Sequence, residues 1–245
     1  MQSKRIKILN PSEYQYLEGP ESRSYELLFA IKVFFQFIKG FRCLHFVGPC
    51  ITVFGSARFK EGHPHYEKAR EVGKAIAHVG FTTMTGGGPG IMEAANRGAF
   101  ENGGRSVGVN IQLPHEQFPN PYLHASVTLK YFFVRKVLLL KYSYAFVVLP
   151  GGWGTMDEMF ETLTLVQTGV IHDFPVVLIG TAYYQDLMKY LHFMESQGTI
   201  STEDLKLVKL TDNIEEAIEH IRSFILDNYE VKSKRKPLWW LLEKN

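Results

Sequence analysis

The sequence predicts an α/β fold, a doubly wound parallel sheet with helices on both faces, preceded by a helical N-terminal extension. Three observations carry this. From residue 50 onward, short apolar runs such as ITVFG (51–55), AFVVLP (145–150) and FPVVLIG (174–180) alternate with amphipathic stretches of helical spacing. The runs are continuous and rich in valine and isoleucine, the pattern of strands covered on both sides. Several strand candidates are followed directly by a loop and then a helix, the order that builds a parallel sheet.

Taken in order, ESRSYELLFAIKVFFQFIK (21–39) is an apolar helical segment ending at Gly40. Its apolar positions wrap most of the circumference, so it packs in a groove or against another subunit. A membrane-surface position ranks second, because the polar face carries few cations. ITVFG is the first strand, followed by the loop SARFKEGHP and a helix from about Tyr66 to Val79. FTTMT (81–85) is a strand, and a glycine loop then leads into a helix through about Asn102. RSVGVNI (105–111) is the third strand. LPHEQFPNPY, with three of the chain's eleven prolines, is a loop. LKYFFVRKVLLLKYS (129–143) is helical, AFVVLP is a strand, and GGWGT opens a helix to about Gln167. FPVVLIG is a further strand, and helices near 183–196 and 213–227 bracket LKLVKL. The expected divisions are an N-terminal extension (1–47), a nucleotide-binding catalytic domain (48–228) and a basic, then aromatic tail (229–245). That tail, KSKRKPLWWLLEKN, reads as a docking segment whose tryptophans cover a hydrophobic patch.

Composition narrows the function. A length of 245 residues fits one large domain with appendages. A net charge of +2 is too small for a nucleic-acid binder driven by phosphate neutralisation. Cys43 and Cys50 make no disulfide framework. MQSKRIKILNPSEYQY lacks the apolar core of a signal peptide, and no apolar run approaches the roughly 20 residues that span a bilayer. These features predict a cytoplasmic protein with no membrane partner. The nine histidines show no paired metal-ligand spacing, so neither a metal nor a cofactor is expected. Ser56 follows a strand without the surrounding G-x-S-x-G of a hydrolase elbow.

Ligands of open parallel sheets bind beyond the carboxyl ends of the strands. Three loops belong there: FGSAR (54–58), TGGGPGIM (85–92) and PGGWGT (150–155). Two are glycine-rich and open helices, where exposed amides and the helix dipole attract anions. Glycines also make tight turns with no ligand at all. Two such loops at strand ends of one sheet favour a phosphate site. A dinucleotide fingerprint fails, since Ile91 or Glu93 stands where the third glycine belongs, and no Gly-Lys-Ser/Thr completes a Walker loop. A mononucleotide or sugar phosphate fits better.

Two positions bear chemistry. Thr155-Met-Asp-Glu158 is a capping-box pattern, in which Thr155 caps the helix and Glu158 returns to a free N–H. In the functional alternative the same first-turn glutamate, held ionised by the dipole, serves as a base or stabilises positive charge. Arg135 and Lys136 interrupt an apolar helix, either as a snorkelling surface pair or as charges directed into a pocket.

Together these loops resemble the Lonely Guy (LOG) family, with its GGGxxGxM and PGGxGTxxE motifs. Here they stand as Gly86-Gly87-Gly88-Pro89-Gly90-Ile91-Met92 and Pro150-Gly151-Gly152-Trp153-Gly154-Thr155-Met156-Asp157-Glu158. The likeness covers roughly residues 48–225, on the bacterial rather than the plant side. It implies a Rossmann-like fold, hydrolysis of the N-glycosidic bond of nucleoside 5′-monophosphates (AMP or cytokinin nucleotides), and a homodimer or higher homo-oligomer. It implies catalytic roles for Arg135 and Glu158. It implies substrate contacts from Ser56, Gly87, Gly88, Gly90, Met92, Glu93, Glu116, Lys136, Gly151, Gly152, Gly154, Thr155 and Thr164. Phe132, Phe133 and Trp153 stand as residues of a base pocket or of the core. The family's older label, lysine decarboxylase, finds no pyridoxal-phosphate lysine setting here. Because molybdenum-cofactor carriers share the fold, a non-catalytic carrier is the alternative. A purely structural, partner-binding protein is the weaker third.

Overall fold

The computed structural model describes residues 20–113, 118–171 and 174–229. Helix α1 (Arg23–Leu44) leads into strand β1 (Cys50–Phe54), followed by α2 (Pro64–His78), β2 (Thr82–Thr85), α3 (Ile91–Glu101) and β3 (Ser106–Ile111). Then come β4 (Ala125–Leu129), α4 (Phe132–Lys141), β5 (Ser143–Val148), α5 (Trp153–Gln167) and β6 (Val176–Ile179). The helices α6 (Thr181–Ser196) and α7 (Thr202–Leu205), strand β7 (Val208–Thr211) and helix α8 (Ile214–Asn228) complete the order.

All seven strands pair in parallel, in the order β4-β3-β2-β1-β5-β6-β7. The direction of winding reverses between β1 and β5, and the ends of those two strands frame the natural ligand crevice. Side-chain alternation along the strands feeds two cores, one on each face. Cys50, Phe54, Phe146 and Val148 point to the face covered by α1, α4, α5 and α6. Ile51, Val53, Ala145 and Val147 point to the face covered by α2, α3 and α8. The expected sheet, covered on both sides, is the one observed.

Two element expectations need correction. α1 does not stop at Gly40 but runs on to Leu44, with Gly40 buried inside it. A side chain at position 40 would collide with Leu138 of α4, so that glycine marks a helix crossing rather than an end. The segment expected as helix 129–143 surrenders both its ends to strands: Leu129 closes β4 and Ser143 opens β5. β4 and β7 are the edge strands of the sheet. Their residues alternate in burial, as in Ala125–Leu129, where Val127 and Leu129 are buried and Ser126 and Thr128 exposed. The continuous apolar signature of the inner strands is therefore missing from ASVTL and VKLT.

The inner face of α1 is fastened to β4 and α4. Lys39 Nζ donates to the Thr128 carbonyl at 2.7 Å, Gln36 accepts from the Lys130 amide at 2.9 Å, and the Phe29 and Tyr131 rings meet edge-on. Its outer face leaves Leu27, Leu28, Ile31, Phe34, Phe35 and Ile38 exposed. Among the described residues, no helix is long and apolar enough to cross a membrane.

Candidate active site

Ser56, just past β1, joins both glycine turns. Its amide donates to the Pro150 carbonyl and its own carbonyl accepts from the Ile91 amide, each at 3.0 Å. The turns after β2 and β5 are thereby held against the same short loop. Gly90, at φ 71°, caps α3 with no side-chain bond, and a Cβ there would strike the Ser56–Ala57 backbone. The bare backbone of GGGPG thus serves close approach between two protein segments. Of the residues expected to meet a ligand in this turn, Met92 lines the cavity, as does Gly86 in front of it; Gly87, Gly88 and Gly90 do not. At the start of α3 the Ile91 amide is thus taken by a protein carbonyl.

The second turn remains open. α5 begins at Trp153 with Gly152 as its cap and no side-chain cap. Gly151, Gly152, Trp153, Gly154 and Thr155 all line the cavity. With Gly152 as cap, Thr155 is the third helical residue and Glu158 lies in the second turn, so the capping-box reading of this pair fails. Glu158 instead turns inward. Its Oε1 stands 3.5 Å from Arg135 Nη1, and both side chains are largely buried.

Arg135 reaches this place because two features of the chain make room and hold it. Its Nε donates to the Val109 carbonyl at 2.8 Å. Its guanidinium and the Met92 sulfur occupy the space that a side chain at Gly86 would take. The neighbouring Lys136 points outward and binds Asp157 at 3.0 Å and Glu161 at 2.7 Å on α5. Adjacent helical positions diverge by about 100°, and here one cation enters the pocket while the other clips two helices on the surface.

Burial is the larger influence on both members of the inner pair. It pushes the Glu158 carboxyl up to about 7, against the opposing pull of Arg135 and then Lys136. It pushes Arg135 below its ordinary range, against the opposing effect of Glu158. The expectation of a carboxylate kept permanently ionised by the first helical turn is thus corrected. Desolvation outweighs the nearby cations.

The cavity has a volume of about 610 Å³. Of the residues proposed from sequence, it gathers Ser56, Met92, Arg135, Gly151, Gly152, Gly154, Thr155 and Glu158. Phe132 and Trp153 also line it, with Trp153 93% exposed at its mouth, whereas Phe133 stacks on Tyr131 outside it. Glu93 accepts a hydrogen bond from the Tyr66 hydroxyl at 2.9 Å and lies off the lining. Thr164 is exposed and donates to the Phe160 carbonyl one turn back. Glu116, like the tryptophans of the tail, lies outside the described residues. Sequence reasoning missed Arg58, Asn110 and Tyr183. The Tyr183 hydroxyl donates to the Gly151 carbonyl at 2.8 Å and braces the open turn from α6. Nothing in the chain near 183 signals this. Gly86, as the first of three glycines, could have been singled out. Among the described residues, no cluster of three or more metal-ligating side chains occurs.

Comparison with known proteins gives the chain relatives in sequence and in fold. A family model described as "Possible lysine decarboxylase" matches residues 92–221. The cytokinin riboside 5′-monophosphate phosphoribohydrolase of Rhodococcoides fascians is 33% identical over 178 residues, covering 71% of this chain and 89% of that protein. The LOG1 phosphoribohydrolase of Arabidopsis thaliana is 27% identical over 184 residues, covering 73% of this chain and 83% of its own. Among solved structures, the molybdenum cofactor carrier protein of Chlamydomonas reinhardtii superposes with a TM-score of 0.55 at 25% identity, covering 73% of this chain and 99% of its own.

Proposed function

The chain belongs to the Lonely Guy (LOG) family, and from that premise we propose that it hydrolyses the N-glycosidic bond of purine nucleoside 5′-monophosphates, releasing the free base and ribose 5-phosphate. The observation that carries this reading is the buried Arg135–Glu158 pair, set into the cavity wall beside an uncapped helix start. The 5′-phosphate sits at the first turn of α5, where the amides and dipole favour an anion, with Arg58 also on the lining. The sugar then lies over the pair. Water attacks C1′ as the base departs, through an oxocarbenium-like transition state. Ionised Glu158 orients that water and takes its proton. The oxygen stays on C1′, and the leaving nitrogen gains a proton from solvent. Arg135, fixed by the Val109 carbonyl, holds the carboxylate in place and supplies its countercharge.

Incubation with AMP and with N6-isopentenyl-AMP, followed by chromatography for the free base, tests the reading and ranks plain against prenylated adenine. Glu158→Gln should still bind AMP while turnover falls by about 10²–10⁴, the usual contribution of a positioned base. Unchanged turnover would remove Glu158 from the chemistry.

The carrier fold of the Chlamydomonas protein supports a second reading, a binding protein that releases no base. A buried ionisable pair facing the cavity is costly to hold, and a carrier has no use for it. Binding of nucleotide without base release would favour the carrier. The outer apolar face of α1, left uncovered among the described residues, further supports assembly with a second copy of the chain, since monomers rarely expose contiguous apolar surface of that kind.

A further inference from the structure

The β3 end of the cavity holds a polar side chain that the proposed chemistry leaves unused. Asn110 is only 3% exposed, yet it lines the cavity. Its Oδ1 is buried and accepts no hydrogen bond. Other asparagines of this region are fully engaged: Asn96 bonds Thr85 and Ser106, and Asn120 bonds Asn96 and the Gly88 carbonyl. Buried amide oxygens without a partner are rare, and each one calls for an explanation. Among the described residues Thr83 carries the other buried unpaired side-chain oxygen, but it lies within β2 and off the cavity lining.

The position of Asn110 indicates what it meets. A Cβ on Gly86 would strike the Arg135 guanidinium, and a Cβ on Gly87, the next residue, would strike the Asn110 amide. Arg135 also bonds the carbonyl of Val109, the residue before Asn110. Arg135 and Asn110 thus pack on consecutive glycines, and both line the cavity together with Glu158, whose carboxylate stands 3.5 Å from Arg135. If the Arg135–Glu158 pair faces C1′ of a ribose, the polar group beside C1′ is the 2′-hydroxyl. A hydroxyl both donates and accepts, so it satisfies either end of an amide.

We propose that Asn110 is a specificity-determining residue that hydrogen-bonds the ribose 2′-hydroxyl of the bound nucleotide, so that the site selects ribonucleotides over 2′-deoxyribonucleotides. This rests on the nucleotide reading given above. The 2′-hydroxyl meets the end of the amide that faces the cavity, and hydrogen bonds to a sugar 2-hydroxyl strengthen as the glycosidic bond breaks.

The test measures calorimetric affinity and base release for AMP and 2′-deoxy-AMP, using the full chain and its Asn110→Ala and Asn110→Leu variants. The wild type should favour AMP by about tenfold or more in affinity, the scale of one buried hydrogen bond. Both variants should bring that ratio close to one by losing AMP affinity. Deoxynucleotide bonds cleave more readily on their own, so turnover ratios are compared between variants rather than in isolation. Asn110→Leu keeps the volume and removes the unpaired oxygen, so its ligand-free thermal midpoint should match or exceed the wild type. A lower midpoint would show that the amide has a structural bond and overturn the inference. So would equal wild-type affinities, or an AMP preference that survives both substitutions, and either would leave the hydrolase reading standing. Ribonucleotide preference lost in the variants without any base release would instead sink the hydrolase reading and keep this one.

Discussion

At Glu158, burial and pairing pull in opposite directions, and burial wins. Desolvation pushes the carboxyl up to about 7 from its ordinary 4.5. Below the ordinary carboxylate range both folded and unfolded chains hold the proton, and the group contributes nothing. As pH rises from there toward 7 the unfolded chain releases the proton first. The ligand-free protein therefore loses stability across that window, approaching about 3 kcal/mol above it. Glu158→Gln cannot ionise and escapes this loss. Its thermal midpoint should gain on the wild type between about pH 5 and about pH 8; a constant gap would show that the carboxyl titrates normally. Activity should run the other way, with kcat/KM for AMP rising as pH passes through about 7 if the carboxylate form is the active one. At Gly86 the prediction is steric. Gly86→Ala displaces the Arg135 guanidinium, and a misplacement of about 1 Å costs on the order of 10² in rate. Kinetics with AMP would show it, and wild-type rates would mean that Arg135 can stand elsewhere. Glu158 was legible in the PGGWGT motif, whereas Arg135 was singled out from Lys136 only through the family resemblance. Their pairing and ionisation were not legible, because these depend on Val109, Gly86 and Met92, which are distant along the chain.

Among the elements, the inner strands were legible and the edges were not. ITVFG and FPVVLIG are apolar on both faces because helices cover both, whereas β4 and β7 expose alternate residues at the sheet's margins. Local pattern cannot separate such a half-exposed strand from a neighbouring helix end, and so 129–143 read as one helix. Gly40 misled for a related reason. Glycine commonly ends helices, but here it lets α1 cross α4 at close range. Gly40→Val should cost about 1–3 kcal/mol through overpacking against Leu138, seen as a lower thermal midpoint. An unaltered midpoint would mean that Leu138 swings aside freely. The two glycine-rich turns also part company at this scale. One helix start is closed by the Ser56 carbonyl and the other stays open, a distinction that depends on how β1 passes between them.

For the whole molecule, the strand order puts the reversal between β1 and β5, and the chemistry lies at that reversal. This much follows from counting strands and helices, provided the two edge strands are found. What the chain does with its outer surface is less local. The stripe from Leu27 to Ile38 on α1 lies on the same face as α4 and α5. Light scattering on purified protein should give at least twice the monomer mass, and a Phe34→Glu/Phe35→Glu variant should shift it to the monomer. A wild type that is monomeric at micromolar concentration would retire the second-copy proposal.

Lys136 and Arg135, adjacent in sequence, rivet α4 to α5 from outside and inside at once. The carboxylates of the outer rivets are far more exposed than that of the inner one. Salt screens the more exposed outer pairs first and leaves the inner one to keep the two helices in step, so the ionic strength of the medium bears on the seating of the buried pair.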